Sequence, residues 1–467
     1  MKRSTRQRYA RQIGLLAVVA AGCDGLLDVD TTGILTPDDL DDAGLAAIAP
    51  IINGVVHNYH EATDDIARYA ALLTDEMIAA ASGSIVQVDE RFIQPSNLAL
   101  VVSPYTTLHQ ARHLADTTFL VLQSRLADPA YSDVTLLGLQ GIAMSKLYGG
   151  LARIWLAELY CWSILTGVHP ETEPLLPDAR MRQALGYLRE AEGEALVIGF
   201  ERVRLAALVA QARAHLWLGE YDLATALAAG VPREFRYIAE YSQNAPAQYN
   251  EVYASTWGDA SSLAWTIGSG EVPSRGNELW EHFESFVGLN LIAVRPAGFI
   301  SVSRSVPVML QTLYQRQDSE ILVASGIEAM LIRAEAAVRG GHSAVAEEIL
   351  NDLRSDYSLR MLLHSRVPLP RVADQLAPLA LSGDMATDLK TVADERAREL
   401  WLTGDRLATS RRFRRDAFGI DLFPPVKAGV GGGDDAAFPI PQLELDTNPN
   451  LSQSMACPAG QTVGSWR

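Results

Sequence analysis

The stretch Phe200–Ala224 constrains the fold more than any other part of the chain. Leu205, Leu208, Val209, Ala212 and Leu216 recur at i, i+3, i+4, i+7 and i+11, the spacing of one buried helix face. Gly219 then lets the backbone turn, and Tyr221-Asp-Leu-Ala224 opens a second helix. The arrangement recurs downstream. Ile327, Met330, Leu331, Ala334 and Val338 form a stripe, Gly340-Gly341 stops it, and Ser343 is placed to cap a helix whose own stripe is Val345, Ile349, Leu350 and Leu353. A further pair is expected from 136–165 and 180–196. Convincing strand alternation is scarce. Stacked helix pairs bury a continuous core only when several neighbour one another, so the predicted fold class is mostly α.

The string Leu218-Gly-Glu-Tyr-Asp-Leu-Ala224 resembles the corner of a tetratricopeptide repeat, where glycine turns, an aromatic fills the crook and alanine permits close approach. The expected organisation is a single unit from 23 to 467. A helical-repeat body covers about 40–230 and 320–415, loop-rich insertions cover about 230–320 and 355–390, and an extended tail covers 431–467. Pro439-Ile-Pro441 forces the tail into an extended path, and Asn448-Pro-Asn450 reads as a tight turn. Such a tail needs a docking surface, and the helical body at 327–412 is the expected one.

Residues 1–22 read as a signal peptide. They hold Lys2, Arg3, Arg6, Arg8 and Arg11 and no acidic residue, and the apolar run Ile13–Ala21 precedes Gly22-Cys23. That run falls short of the roughly 20 residues that span a bilayer. Ala20-Ala21-Gly22-Cys23 resembles a bacterial lipobox, which implies cleavage and lipid attachment at Cys23. Losing the five cations takes the formal net charge from −17 to −22. So acidic a body is repelled by phosphate backbones, which argues against nucleic-acid binding. Of the remaining cysteines, Cys161 lies in an apolar helical pattern and reads as an inert core thiol, so no structural disulfide with Cys457 is expected.

Taken together, these pieces resemble the SusD/RagB family of outer-membrane lipoproteins. Met330-Leu-Ile-Arg-Ala-Glu-Ala336 and Ile349-Leu-Asn-Asp-Leu-Arg354 are similar to two helices of that family. The segment Glu395-Arg, Glu399-Leu, Gly404-Asp-Arg406 and Arg411-Arg-Phe413 is similar to a third. The ending Pro439-Ile-Pro, Glu444 and Asn448-Pro-Asn-Leu-Ser-Gln453 is similar to the family's close. Thr403 and Thr409-Ser410 depart from it, where the family carries Glu and Asp-Leu. The resemblance implies tetratricopeptide-like helical repeats supporting an irregular, loop-rich lobe. It also implies a lipid-anchored outer-membrane protein, facing outward, that binds a nutrient such as an oligosaccharide. That nutrient would pass to a SusC-like TonB-dependent transporter without chemistry by the lipoprotein. Two other readings remain: a helical-repeat envelope scaffold without a small ligand, and a lipid-anchored glycosidase.

No cofactor and no metal site is expected. Asp38-Asp39 and Asp41-Asp42 lack the spacing of a calcium loop, and Asp434-Asp435 reads as a solvated hinge. His109 and His113 are helix-spaced, but no local carboxylate or cysteine completes a zinc set. His57 and His60 are close in sequence. No nucleophile elbow or phosphate loop occurs. Aromatics are the best functional lead, since a sugar's C–H face stacks on a flat ring. Tyr241, Tyr249, Tyr253, Trp257, Trp265, Trp280, Phe283 and Phe286 crowd one irregular stretch, with Asn250, Asp259 and Asn277 nearby. Tyr253, Trp257, Trp265 and Trp280 are the candidate ligand-binding residues.

Overall fold

The structure is a computed structural model. It describes residues 44–79, 83–167, 170–257, 265–267, 294–300, 307–311, 313–356, 359, 377–416, 418–423 and 433–451. Cys23, Trp280 and the acidic pairs at 38–42 lie outside them. The chain divides into two compact units, Met1–Ala47 and Ile48–Arg467. Of the first, Gly44–Ala47 forms one 3-10 turn. The second is built mainly from helices: α1 (Ile48–Leu73), α2 (Thr107–Leu126), α3 (Thr135–Leu159), α4 (Pro177–Val197), α5 (Glu201–Trp217) and α6 (Tyr221–Ala229). After these come α7 (Glu251–Trp257), α8 (Gly326–Arg339), α9 (Ser343–Ser355), α10 (Met385–Glu399), α11 (Asp405–Arg414) and α12 (Gln442–Thr447).

Successive helices from α1 to α6 pack on one another, skipping none, and α8 then packs on α6, α9 and α10. This is the tetratricopeptide-like stack expected from the helix pairs. Helix α5 is more deeply set than its stripe implies. Ala206, Ala207, Ala210 and Ala214 are buried along with the stripe, so it is covered on every side. Gly219, at φ +76, makes the turn into α6, and Ala224 is fully buried in the crook.

The chain leaves the stack after α6 and rejoins it at α8, yet α6 and α8 are direct neighbours. The intervening segment therefore starts and ends at one place. Its stem is β2 (Arg236–Ala239) paired antiparallel with β6 (Ile321–Ser325). Gly326 closes it: a Cβ there would lie 2.3 Å from the carbonyl oxygens of both Pro232 and Arg233. Beyond the stem, β1 (Met77–Ala79) pairs with β3 (Trp265–Ile267), and β4 (Val294–Ile300) with β5 (Pro307–Gln311).

The charged segment at 395–413 is a buried ionic framework. Glu335, fully buried, accepts from Arg412 at 2.6 Å and pairs with Arg339 at 2.9 Å. Arg213 pairs with Glu328 at 2.6 Å, and Arg406 with Asp75 at 2.7 Å. Arg396 pairs with Asp405, and Arg398 with Glu395. Thr409 closes this network at the departure from the family pattern, donating to Asp405 at 2.9 Å and accepting from Arg396 at 3.2 Å. Gly404 takes φ +89, and a Cβ there would sit 3.0 Å from the Trp155 ring. Arg411 reaches the end of α3 and donates to the carbonyls of Ala157, Glu158 and Tyr160, groups a helix terminus leaves unpaired.

Four expectations are corrected. Ser343 is the first residue of α9 and does not cap it; its hydroxyl donates to Asp388 at 2.6 Å. Val345 is half exposed, and Ala346 takes its place in the buried stripe. The tail docks mainly on the end of α3 and on 90–95. Phe438 donates its amide to Leu159 O and is fully buried, while Gly433 and Gln442 donate to Glu90 O and Pro95 O. Ile440, Leu445 and Leu451 pack with Ile164 in a small core of their own. Finally, Cys161 lies past the end of α3 and is disulfide-bonded, to a partner outside the described residues. A disulfide depends on a cysteine distant in sequence, which local periodicity could not reveal.

Candidate functional site

Helix α1 is amphipathic in an unusual way. Val55, Tyr59, Ala62, Ile66, Ala70 and Leu73 enter the main core at helical spacing. A second stripe at the same spacing is polar: His57, His60, Glu61, Asp64, Asp65 and Arg68. This stripe lines a cavity of about 650 Å³, closed by Ser103 and Thr107 on one side and by Glu240–Ser242, Tyr249 and Glu251 on the other. His60, Asp64 and Asp65 are buried although they are polar.

Hydrogen bonds tie the walls to the helix. Asp64 Oδ2 accepts the amide N–H of Glu251 at 2.8 Å. Arg68 donates to Glu251 at 2.7 Å, to Asp65 at 2.7 Å and to Ser255 at 3.2 Å. Thr107 donates to the other oxygen of Asp65 at 2.9 Å. Tyr241 donates to the carbonyl of His60 at 2.8 Å, and Glu240 donates its amide to His60 Nδ1 at 3.0 Å. His60 Nδ1 also lies 3.2 Å from the carbonyl oxygen of Glu240, so the backbone of that one residue engages the ring nitrogen in either tautomer. Burial pushes the His60 imidazole down to about 4, so it is neutral at pH 7.

The cavity's charge is unbalanced. Among the described lining residues, Glu61, Asp64, Asp65, Glu240 and Glu251 face one guanidinium, Arg68. Asp64 is 2% exposed, and its Oδ1 has no hydrogen-bond partner among the described residues. Burial, and next the charge of Asp65, hold its carboxyl well above the usual range. Burial also raises Glu61, and Asp65 and Glu251 add to the shift. The arrangement offers carboxyl groups and tyrosine rings in one concavity, which suits a hydroxylated or cationic small molecule.

No family model and no curated relative matches the sequence. Solved structures do match the fold. A SusD superfamily protein from Bacteroides thetaiotaomicron superposes with a TM-score of 0.60 at 14% identity, covering 87% of this chain and 99% of that one. A SusD-like protein from Bacteroides fragilis gives 0.60 at 12% identity, covering 88% and 98%. A SusD-like carbohydrate binding protein from Bacteroides vulgatus gives 0.55 at 12% identity, covering 79% and 83%. This chain has the SusD-like fold.

Within the SusD-like fold, the aromatic candidates scatter. Tyr253 lies on α7, partly buried against the main core. Trp257 ends the same helix, and its indole donates to the carbonyl of Gln311 at 2.6 Å. Trp265 sits in β3 opposite Ala79. Of the wider aromatic group, Tyr241 and Tyr249 line the cavity. Asn250 is fully buried, donates to Ser319 O and accepts the amide of Tyr253, so it holds the start of α7. His109 stacks on Tyr105 at 4.4 Å, and burial pushes it down to about 3. Sequence reasoning passed over Asp64, Asp65 and Arg68. Their signal was a polar stripe at i, i+3, i+4, i+7, i+8 and i+11 within a helix whose other stripe is apolar.

Proposed function

We propose that this chain is a surface lipoprotein that binds an oligosaccharide and delivers it to a SusC-like TonB-dependent outer-membrane transporter. The cavity along α1 carries the reading. At about 650 Å³ it has the size of a small-molecule site, and it lies in a fold shared with a structure named a carbohydrate binding protein. Tyrosine rings supply stacking surface and carboxyls accept from hydroxyls. In this reading residues 1–22 are a signal peptide and Cys23 is the lipid attachment site. The helical body then serves as a scaffold that holds α1 against the 240–251 wall.

No described helix is long and apolar enough to cross a membrane, so the membrane link in this proposal rests on Cys23. Cys23→Ala should release the protein in soluble form, and continued membrane attachment would refute the anchor. For binding, the full chain in detergent is titrated calorimetrically with oligosaccharides of different linkage. The reading expects saturable binding without turnover, weakened when Tyr249 is replaced by alanine. Hydrolysis that disappears on changing a carboxylate pair would establish a glycosidase instead. Absence of binding, with co-purifying envelope proteins but no transporter, would favour a scaffold.

A further inference from the structure

We infer that the α1 cavity selects a glycan carrying a primary amine, an amino sugar in its protonated form, over neutral and acidic glycans. This rests on the nutrient-binding reading above and names the ligand class of that site.

The geometry distinguishes carboxyls already engaged from Asp64, one of whose oxygens is buried without a partner among the described residues. Asp65 has both oxygens taken, one by Arg68 and one by Thr107. Glu251 is held by Arg68 at 2.7 Å. Arg68 therefore neutralises charge inside the wall and turns its donors on groups that flank the cavity. Asp64 keeps Oδ1 without a partner while 2% exposed, a costly state for a buried acceptor. Glu61 stands three residues earlier on the same helix, so the two carboxyls are neighbours on one face.

A ligand hydroxyl could satisfy Asp64 Oδ1, but it would leave the excess of like charge untouched. An ammonium group brings three donors, no acceptor and a positive charge. It gives the orphaned oxygen a donor and favours the ionised form of Asp64, which burial and the charge of Asp65 otherwise oppose. A uronate, sulfate or phosphate group would meet that repulsion directly. The rings of Tyr241 and Tyr249, on the facing wall, offer apolar surface for the sugar ring bearing the amine. Cation and C–H face are thus recognised from opposite sides of one cavity.

The test needs two ligands alike except at the nitrogen, one a cationic amine and one a neutral amide. The full chain in detergent is titrated with a β-linked glucosamine oligomer and with its N-acetylated counterpart of equal length, at slightly acidic pH where the amine is protonated. The amine oligomer should bind at least about tenfold more tightly, equivalent to about 1.4 kcal/mol. Raising salt should shrink the gap. Asp64→Asn and Glu61→Gln should each reduce the preference, with thermal melting confirming that both variants fold. Equal affinity for the two oligomers, weakened by Asp64→Asn, overturns amine selection while leaving nutrient binding in place. No binding of any oligosaccharide removes both the reading and this inference. A preference that survives both substitutions, or that vanishes with EDTA, also overturns it, because the amine would then be read elsewhere or through a bridging cation.

Discussion

Two regions of this molecule bury charge, and they do it in opposite ways. In the helical body buried carboxylates of α8 are matched by arginines. Glu335 lies between Arg412 and Arg339, and Glu328 faces Arg213. Although burial favours the neutral acid, Arg412 and Arg339 outweigh it and hold Glu335 at about 2. Around the α1 cavity the described residues place five carboxyls near one guanidinium, Arg68, and burial drives Asp64 up. Matched charge fixes helices in register, whereas unmatched charge is held in readiness for something else. The contrast teaches where to look for function: the motif-rich segment at 395–413 is architecture, and the candidate site is on a helix that carries no motif.

The largest expected effect breaks the matched side. Glu335→Gln strands two buried arginines and should cost about 3–5 kcal/mol in denaturant unfolding. Phe438→Ala, which empties the tail's anchor against Tyr160 (ring centroids 5.8 Å apart), should cost a similar ~3–5 kcal/mol. Gly326→Ala forces a Cβ against two carbonyls at the base of the insertion and should cost about 1–3 kcal/mol. Asp64→Asn is the counterpart on the unmatched side. It keeps an acceptor for the Glu251 amide and should change stability by under about 1 kcal/mol, while weakening ligand binding. If Asp64→Asn destabilised as much as Glu335→Gln, the distinction between the two regions would fail.

Acid and base should separate Glu335, held down by its arginines, from carboxyls that burial raises. Glu335 has a depressed folded value, so its contribution is present above about 4.5 and is lost as pH falls towards about 2. Burial raises Glu76 to about 8 and Glu158 to about 7. The unfolded chain releases those protons first, so stability should fall as pH rises from about 4.5 to about 8. Glu76→Gln and Glu158→Gln should flatten that decline in denaturation curves measured across the range. A decline unchanged in both variants would assign it to other groups.

Much of the helical stack was legible because its cause is local. Apolar spacing in α5 and α8, and glycines at 219 and 341 with positive φ, follow from a few neighbouring residues. What escaped depends on distant partners. Ser343 looked like a cap, but Asp388 captures its hydroxyl across 45 positions. Cys161 looked inert, yet it is disulfide-bonded to a cysteine far away in sequence. The site was illegible for a related reason. Asp64 and Asp65 match no motif, and only the wall at 240–251 makes their helix face a cavity. Of the aromatic-rich stretch, Trp257 serves the Gln311 carbonyl while Tyr241 and Tyr249 line the cavity.

The account's central claim is that ligand binds where charge is unbalanced, between α1 and the 240–251 wall. Crystallography of the full chain grown with a saturating oligosaccharide tests it most directly. The account predicts ligand density within hydrogen-bond distance of Asp64 Oδ1 and against Tyr241 or Tyr249. Density confined to another surface, with the α1 cavity empty, would contradict it.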